Sequence, residues 1–263
     1  MQVSTSPTGL SVTTLRRPLS ARPRRLATPV VEEFVDRIVS GEISPGTPLP
    51  KEADLCEHFD VSRTVIREAL KVLEQKGLLR VLNGKGARTT ERDAWNLLDP
   101  LVLSARVRHD DSLEFLSHLV TVRIALEAEM ASQAATVATD QQIAEIGQIL
   151  SELGHTMHDV QGYVALDIRF HDAVMRASGN ELGRTIVLAI IETAHRYARY
   201  GAARLGHVNR SQPGHVAMFE ALVARDPERA RRAVREHISG AAMLSDDVGD
   251  IGLGAGGEAR PPS

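Results

Sequence analysis

Residues 61–90, with the sequence VSRTVIREALKVLEQKGLLRVLNGKGARTT, decide the fold of the N-terminal part of this chain. Apolar residues recur with the period of a helix over residues 62–76, Ser62 is a good N-cap, and Gly77 is typical of a helix end. One face of this helix is apolar and consists of Val65, Ile66, Ala69, Val72 and Leu73. The opposite face is basic and hydroxylic and consists of Arg63, Thr64, Arg67 and Lys71. The pattern predicts a helix that packs on one side and presents positive charge on the other.

A β-hairpin is predicted directly after this helix. Residues 78–82 have the composition of a strand, Asn83-Gly84 is a strong signal for a tight turn, and residues 87–90 form the returning strand. Two more helices are predicted upstream, over residues 28–40 and 51–59. Three helices followed by a hairpin is the order of a winged helix-turn-helix, whose last helix enters the DNA major groove through its N-terminal end. The basic face could also be an ordinary solvated surface, but the neighbouring elements favour DNA binding.

Charge is distributed unevenly along the chain. Residues 1–92 carry 15 Lys and Arg against 11 Asp and Glu, a net charge of +4, whereas residues 93–263 carry 16 against 23, a net charge of −7. A basic end on an acidic body predicts a polyanionic partner for that end, although a solvated mixture of charges is the alternative. The single cysteine, Cys56, indicates a reducing compartment, and no apolar run reaches the length of about 18 residues that predicts a membrane span. We therefore expect a cytoplasmic protein.

From residue 112 to residue 245 the apolar pattern is helical throughout. Six helices are predicted, over residues 112–136, 139–157, 159–178, 181–203, 211–224 and 227–244. The fold class is therefore mainly α, with an N-terminal winged helix-turn-helix and a C-terminal all-α helical bundle. The predicted organisation is a disordered basic tail (1–24), the winged helix-turn-helix (25–92), a connector (93–111), the helical domain (112–245) and a flexible tail (246–263).

Asp167 and His171 lie four residues apart in one predicted helix, so their side chains share a face. Two further histidines, His215 and His237, lie in the last two predicted helices among apolar residues. A carboxylate together with neutral imidazole suits zinc, nickel or manganese. Because the chain contains 10 histidines, a set of unrelated surface or core histidines is the alternative.

The N-terminal part resembles the GntR family of bacterial transcription regulators, over about residues 28–92. The stretches that carry the resemblance are PGTPLPKE (45–52), VSRTVIREAL (61–70), GLL (77–79) and GKG (84–86). The resemblance implies that bases or phosphates are contacted by Arg63, Thr64 and Arg67. It also implies that the DNA backbone or minor groove is contacted by Lys51, Lys85 and Gly86.

The helical part resembles the ligand-binding domain of the FadR subfamily, the FCD domain, over about residues 112–244. The stretches that carry this resemblance are DIRFHDAV (167–174), SGN (178–180), HVAMFEAL (215–222), DPERA (226–230) and HI (237–238). Many such domains hold a divalent metal through one Asp and three His, and the metal helps to anchor an acidic effector. The resemblance therefore implies a metal site formed by Asp167, His171, His215 and His237.

Three more residues are predicted to contact the effector. The stretch VRIALE (122–127) resembles the first sensor helix of the subfamily, which implies that Arg123 faces the cavity and clamps a carboxylate. An ion pair with Glu127, four residues later, is the alternative. His195 and Arg199 share a face of a later helix and are predicted to line the same pocket, with a partly exposed polar face as the alternative.

Together these features predict a transcription regulator and not an enzyme. The protein is expected to bind a palindromic operator as a homodimer and to repress transcription until a small carboxylate releases it from the DNA. A sugar acid such as a gluconate or galactonate is expected, because a metal with open positions and a nearby Arg favour a carboxylate beside a hydroxyl. Residues 52–59, 66–68 and 92–100 also resemble regulators of galactonate catabolism within the subfamily. The alternatives are a metal-dependent hydrolase or lyase that uses the Asp/His3 site, and an architectural DNA-binding protein.

Overall fold

The computed structural model describes residues 22–82, 86–110, 112–156, 159–196 and 204–249. The chain forms two compact units that divide between Trp95 and Asn96. The predictions that lie outside the described residues are those for Lys85, for Arg199, for the turn at Asn83-Gly84 and for most of both tails. For His195 the backbone alone is described.

The N-terminal unit begins with three helices, α1 (Arg22–Val39), α2 (Glu52–Phe59) and α3 (Arg63–Gln75). The backbone N–H of Val65 donates to the Ser62 hydroxyl at 3.4 Å, which confirms the predicted N-cap of α3. α3 packs against α1, and its apolar face is buried except for Val72, which is half-buried. The basic face of α3 is consequently left on the outside of the unit.

An antiparallel hairpin of β1 (Leu79–Leu82) and β2 (Gly86–Thr89) follows α3, with Leu79 opposite Thr89. Thr89 anchors the hairpin to the rest of the unit, because its hydroxyl donates to the Ser44 carbonyl at 2.7 Å. Three helices and a hairpin in this order confirm the predicted winged helix-turn-helix.

The first helix begins earlier than the sequence predicts. α1 starts at Arg22 and contains Pro29, whereas the sequence predicts a start at residue 28. Ala27 is buried together with Val30, which shows that the apolar stripe of α1 continues through the proline. Packing of this stripe therefore outweighs the loss of one backbone hydrogen bond at Pro29.

The C-terminal unit is helical. Its helices are α4 (Pro100–Arg108), α5 (Glu114–Val137), α6 (Asp140–His155), α7 (Val160–Ala177), α8 (Glu181–Arg196), α9 (Arg204–Val223) and α10 (Pro227–Gly249). Buried alanines such as Ala131 and Ala134 let α5 approach α10 closely, and α7 packs against α5, α6, α8 and α9. α7 is therefore a helix whose side chains can meet several neighbours at once. In the part of the chain that the structure describes, no helix has the length and apolar character needed to cross a bilayer.

Two features of this unit differ from the sequence-based predictions. The sequence predicts no helix in the connector, but α4 lies there and is capped by the Asp99 carboxylate, which accepts from the backbone N–H of Leu101 at 3.0 Å. The predicted start of a helix at residue 211 is wrong, because α9 begins at Arg204 and continues to Val223 with Pro213 inside it. Tertiary packing thus overrides the local preference of glycine and proline.

Candidate functional site

The N-terminal turn of α3 presents a basic surface. Arg63, Thr64 and Arg67 are exposed there, on the side of the helix opposite its buried face. Nε of Arg67 donates to Oε2 of Glu52 at 2.9 Å, but the Arg67 side chain is 69% exposed, so this ion pair is weak and open to competition by phosphate. Lys51 is also exposed. Gly86 is exposed at the start of β2.

Four side chains from three helices converge inside the C-terminal unit. Asp167 and His171 come from α7, His215 comes from α9, and His237 comes from α10. One carboxylate oxygen and one nitrogen from each imidazole all lie within 4.8 Å of one another. The ring centroids of His215 and His237 are 4.4 Å apart. These are the four residues that the resemblance assigns to a metal site, and the structure brings all of them together.

The donors of this cluster fit a divalent metal ion. His215 is fully buried, yet neither of its ring nitrogens has a hydrogen-bond partner among the described residues, and the same holds for Nε2 of His171. Nε2 of His215 lies 3.1 Å from Oδ1 of Asp167, a distance at which both atoms can bind the same ion. A buried polar atom without a partner costs about 1–3 kcal/mol. Three imidazole nitrogens and one carboxylate oxygen are a donor set that zinc, nickel and manganese accept.

The charges of the cluster suit metal binding. Burial lowers the pKa of His215 and holds the pKa of His237 well below its usual range, so both rings are neutral at pH 7. Burial by itself raises the pKa of Asp167, but the 3.1 Å contact with Nε2 of His215 and the positive charge favoured on His171 hold this pKa well below its usual range. Burial lowers the pKa of His171, but the carboxylates of Glu127 and Asp167 raise it above its usual value, so a metal ion competes with a proton for this ring. An ionised carboxylate and unprotonated imidazoles are the forms that bind a metal.

A fifth ionisable residue, Glu127 on α5, touches the cluster. Its Oε2 lies 2.8 Å from Nδ1 of His171, and its Oε1 accepts a hydrogen bond from Nε of Arg123 at 2.7 Å. Burial raises the pKa of Glu127, but Arg123 and His171 together lower it to about 2. The sequence indicates the contact of Glu127 with Arg123 through their spacing on one helix, but no local signal indicates its contact with His171.

Gly214 provides the space for one of the histidines. A Cβ at this position of α9 would lie 2.5 Å from Nδ1 of His237, which is far inside van der Waals contact. The absence of a side chain at Gly214 therefore allows the His237 ring to approach α9.

A buried pair of hydroxyls lies on the helices that carry Asp167 and His215. Tyr163 and Ser211 each precede one of these ligands by a single helical turn, and their hydroxyl oxygens are 2.7 Å apart. Burial raises the pKa of Tyr163 to about 12, so the phenol is neutral at pH 7. This pair adds groups that can donate and accept hydrogen bonds close to the cluster.

Known protein families match both units of the chain. Residues 26–88 match the family described as bacterial regulatory proteins, gntR family, and residues 118–240 match the FCD domain. The chain is 31% identical over 228 residues to the HTH-type transcriptional repressor NanR of Cronobacter sakazakii, and the match covers 85% of this chain and 86% of that protein. It is 30% identical over 242 residues to the repressor of the same name from Salmonella newport, with 90% and 91% coverage.

A solved structure of Lar, which controls the expression of the Listeria monocytogenes agr system, shares the fold of this chain. The TM-score is 0.57 at 15% sequence identity, and the match covers 88% of this chain and 99% of that one. At this identity the likeness shows the fold alone.

A winged helix-turn-helix joined to a helical domain with a buried Asp/His cluster defines a DNA-binding transcription regulator. The chain belongs to the GntR family, and its helical unit contains an FCD domain, which confirms the resemblance seen in the sequence. The matched residues 26–88 include the exposed arginines of α3, and the matched residues 118–240 include the whole Asp/His cluster.

Proposed function

We propose that this GntR-family protein is a cytoplasmic repressor that binds operator DNA through α3 and is released from it by a small carboxylate. The observation that carries the proposal is the cluster of Asp167 with three histidines, in which buried nitrogens lack hydrogen-bond partners among the described residues. A metal ion bound by this cluster would form part of a binding site for a small molecule inside the helical unit. The name of the NanR relatives, transcriptional repressors, supports repression rather than activation.

On the DNA side, we propose that bases or phosphates are contacted by Arg63, Thr64 and Arg67, and that the backbone or minor groove is contacted by Lys51, Lys85 and Gly86. The exposure of the three α3 residues at the N-terminal end of the helix supports the first set, since this end of a recognition helix enters the major groove. An arginine side chain can form bidentate hydrogen bonds with guanine or pair with a phosphate.

In the helical unit, Asp167, His171, His215 and His237 are the residues that would hold a divalent metal such as zinc, nickel or manganese. When bound, the ion supplies a Lewis-acidic centre that attracts anionic oxygen ligands. Arg123 is the residue that we propose to bind the carboxylate of the effector, since its side chain is 20% exposed and lies next to a residue that touches the cluster. His195 and Arg199 remain proposed pocket residues.

The proposed effector is a hydroxylated carboxylate, with a sugar acid such as a gluconate or galactonate as the first choice. A guanidinium recognises the carboxylate, and the buried hydroxyls of Tyr163 and Ser211 suit a ligand that carries hydroxyl groups. We propose that the effector shifts a homodimer on a palindromic operator towards an arrangement in which the two α3 helices no longer match the operator spacing. The alternative of a metal-dependent hydrolase or lyase is not favoured, because the chain matches the gntR family of bacterial regulatory proteins and relatives named as transcriptional repressors.

The test is a gel shift on DNA from upstream of the protein's own gene, with sugar acids, short hydroxy acids, dicarboxylates and a fatty acyl thioester added in turn. We expect a sugar acid or another small hydroxy acid to release the DNA. Release should be lost in Arg123→Gln, while Arg169→Gln serves as the matched control, since Arg169 is exposed on α7 and pairs with Glu152. Release by the acyl thioester alone contradicts the proposed effector class.

A further inference from the structure

Glu127 is almost completely buried, with 2% exposure, and its two carboxylate oxygens have different partners. Oε1 accepts from Nε of Arg123 on the same helix, at 2.7 Å, and Oε2 faces Nδ1 of His171 on α7, at 2.8 Å. A buried carboxylate is tolerated where its charge is compensated on both sides. Glu127 is therefore a bridge between Arg123 and one member of the Asp/His cluster.

The contact with Glu127 decides which nitrogen of His171 carries the proton. Oε2 lies 2.8 Å from Nδ1 outside hydrogen-bond geometry, but an ionised carboxylate this close repels a lone pair on Nδ1, so it favours the tautomer in which Nδ1 of His171 carries the hydrogen. The lone pair is then on Nε2, the buried nitrogen that has no hydrogen-bond partner among the described residues. Carboxylates that accept from the second nitrogen of a metal-binding histidine fix its ring orientation and raise its basicity.

The second oxygen of Glu127 holds a positive charge near the cluster. The Arg123 guanidinium by itself repels a cation bound by the histidines, and the negative charge of Glu127 between them offsets this repulsion. The Arg123 side chain is 20% exposed while Glu127 is buried, so an anion can reach the guanidinium but not the carboxylate.

We propose that Glu127 is a positioning residue that orients His171 for the metal and couples the metal to Arg123. The inference rests on the proposed metal site. An anion that binds to Arg123 competes with Glu127 for the guanidinium, which leaves Glu127 a stronger acceptor for His171. Metal and carboxylate effector consequently strengthen each other's binding, and this coupling is equal in both directions.

The test measures Zn²⁺ affinity of the full-length protein by competition with a chromophoric chelator, and the Co²⁺ absorption spectrum as a report on ligand geometry. We expect Glu127→Gln to weaken Zn²⁺ binding about 10-fold to 100-fold and to alter the Co²⁺ spectrum. Arg123→Gln should bind Zn²⁺ at least as tightly as wild type, because it removes a positive charge. Glu129→Gln is the matched control on the same helix, since Glu129 is exposed and pairs with Arg231.

The two variants separate positioning from a structural ion pair. If the ion pair between Arg123 and Glu127 only stabilised α5, removal of either residue would weaken Zn²⁺ binding to the same extent. Equal losses of Zn²⁺ affinity in Glu127→Gln and Arg123→Gln therefore overturn the inference. Unchanged Zn²⁺ affinity and Co²⁺ spectrum in Glu127→Gln also overturn it, while the metal site itself then stands. Absence of metal binding by the wild-type protein overturns the metal site and the inference together. Thermal unfolding of the metal-free variants verifies that they are folded.

Discussion

At the scale of single residues, the Asp/His cluster depends on a close fit around its imidazoles. His237 reaches the cluster because the position facing its ring, Gly214, has no side chain. The carboxylate of Glu127 lies beside Nδ1 of His171, and His215 is fully buried with 0% exposure. Substitutions beside the ligands should therefore also weaken metal binding.

Gly214→Ala is expected to weaken metal binding at least 10-fold, because the new methyl group collides with Nδ1 and Cγ of His237 and displaces the ring. The measurement is metal affinity by calorimetry. Gly240→Ala is the matched control, since Gly240 lies in α10 and a Cβ added there would have nothing within 4 Å. The control should leave metal affinity unchanged and stabilise the helix by up to about 1 kcal/mol. Equal metal affinity in both variants contradicts the fit described for His237.

Arg63→Ala and Arg67→Ala are each expected to reduce operator affinity by about 1–3 kcal/mol. Both side chains are exposed on the N-terminal turn of α3, so their removal leaves the core of the unit intact. Fluorescence anisotropy with labelled operator measures the loss, and thermal unfolding confirms the fold. Arg37→Ala is the control, because Arg37 on α1 is held by Glu42. Operator affinity that stays at the wild-type value in both α3 variants rules out α3 as the reading helix.

At the scale of elements, the winged helix-turn-helix depends on the junction between α3 and β1. Gly77 adopts φ +75°, and a Cβ at this position would lie 2.0 Å from the carbonyl oxygen of Ala94. The hairpin starts two residues later, so the conformation of Gly77 contributes to the path of the chain from α3 into the wing. A side chain at Gly77 has to move either the wing or the segment around Ala94.

Gly77→Ala is expected to destabilise the protein more than Gly41→Ala does. Gly41, just after α1, has φ +88° but open space around it, so its substitution carries the left-handed backbone penalty of about 1–2 kcal/mol alone. Gly77→Ala adds a steric conflict of about 1–3 kcal/mol. Urea unfolding of the two variants measures the difference. Equal destabilisation would falsify the close approach of Ala94 as the reason for this glycine.

At the scale of the whole molecule, the four ligands tie together α7, α9 and α10, which are separated along the chain. An ion held at this point binds the folded helical unit and not the unfolded chain. Metal binding is therefore linked to the stability of the unit.

Removal of the metal with a chelator is expected to lower the melting temperature by about 5–10 °C. The size follows from about 2.7 kcal/mol of stabilisation at a metal concentration 100 times Kd, and from the usual dependence of Tm on stability for a chain of this size. Differential scanning calorimetry is the measurement, on protein purified without a histidine tag. The variant with His171→Ala and His237→Ala should not respond to the chelator. If the chelator lowers the melting temperature of this variant as much as that of the wild type, the metal binds at another site.

A homodimer on a two-fold symmetric operator is the second expectation at this scale. A single reading helix contacts few base pairs, and regulators of this kind pair two helices on half-sites separated by about one helical turn of DNA. Sedimentation should give twice the chain mass, and footprinting should show two related half-sites. A monomer that binds one half-site with full affinity contradicts the proposal.

The sequence by itself determined the N-terminal unit and the candidates for the site. Ser62, Gly77 and the apolar period of α3 act within a few residues of one another, so they can be recognised without knowledge of the rest of the fold. The four members of the Asp/His cluster were also predicted from the sequence, because the resemblance to the FCD domain is carried by short motifs that contain them. The helix boundaries near Pro29 and in α9 were not predicted correctly, since packing against distant helices outweighs local preferences there.

Only the tertiary structure decided which side chains meet. Ten histidines allow many combinations, and sequence spacing cannot show that His171, His215 and His237 share one point inside the bundle. Nor can it show that Glu127, which pairs with Arg123 along its own helix, also reaches His171 on another. These contacts join residues far apart along the chain. They are set by how the helices pack, which depends on the whole core rather than on any one segment.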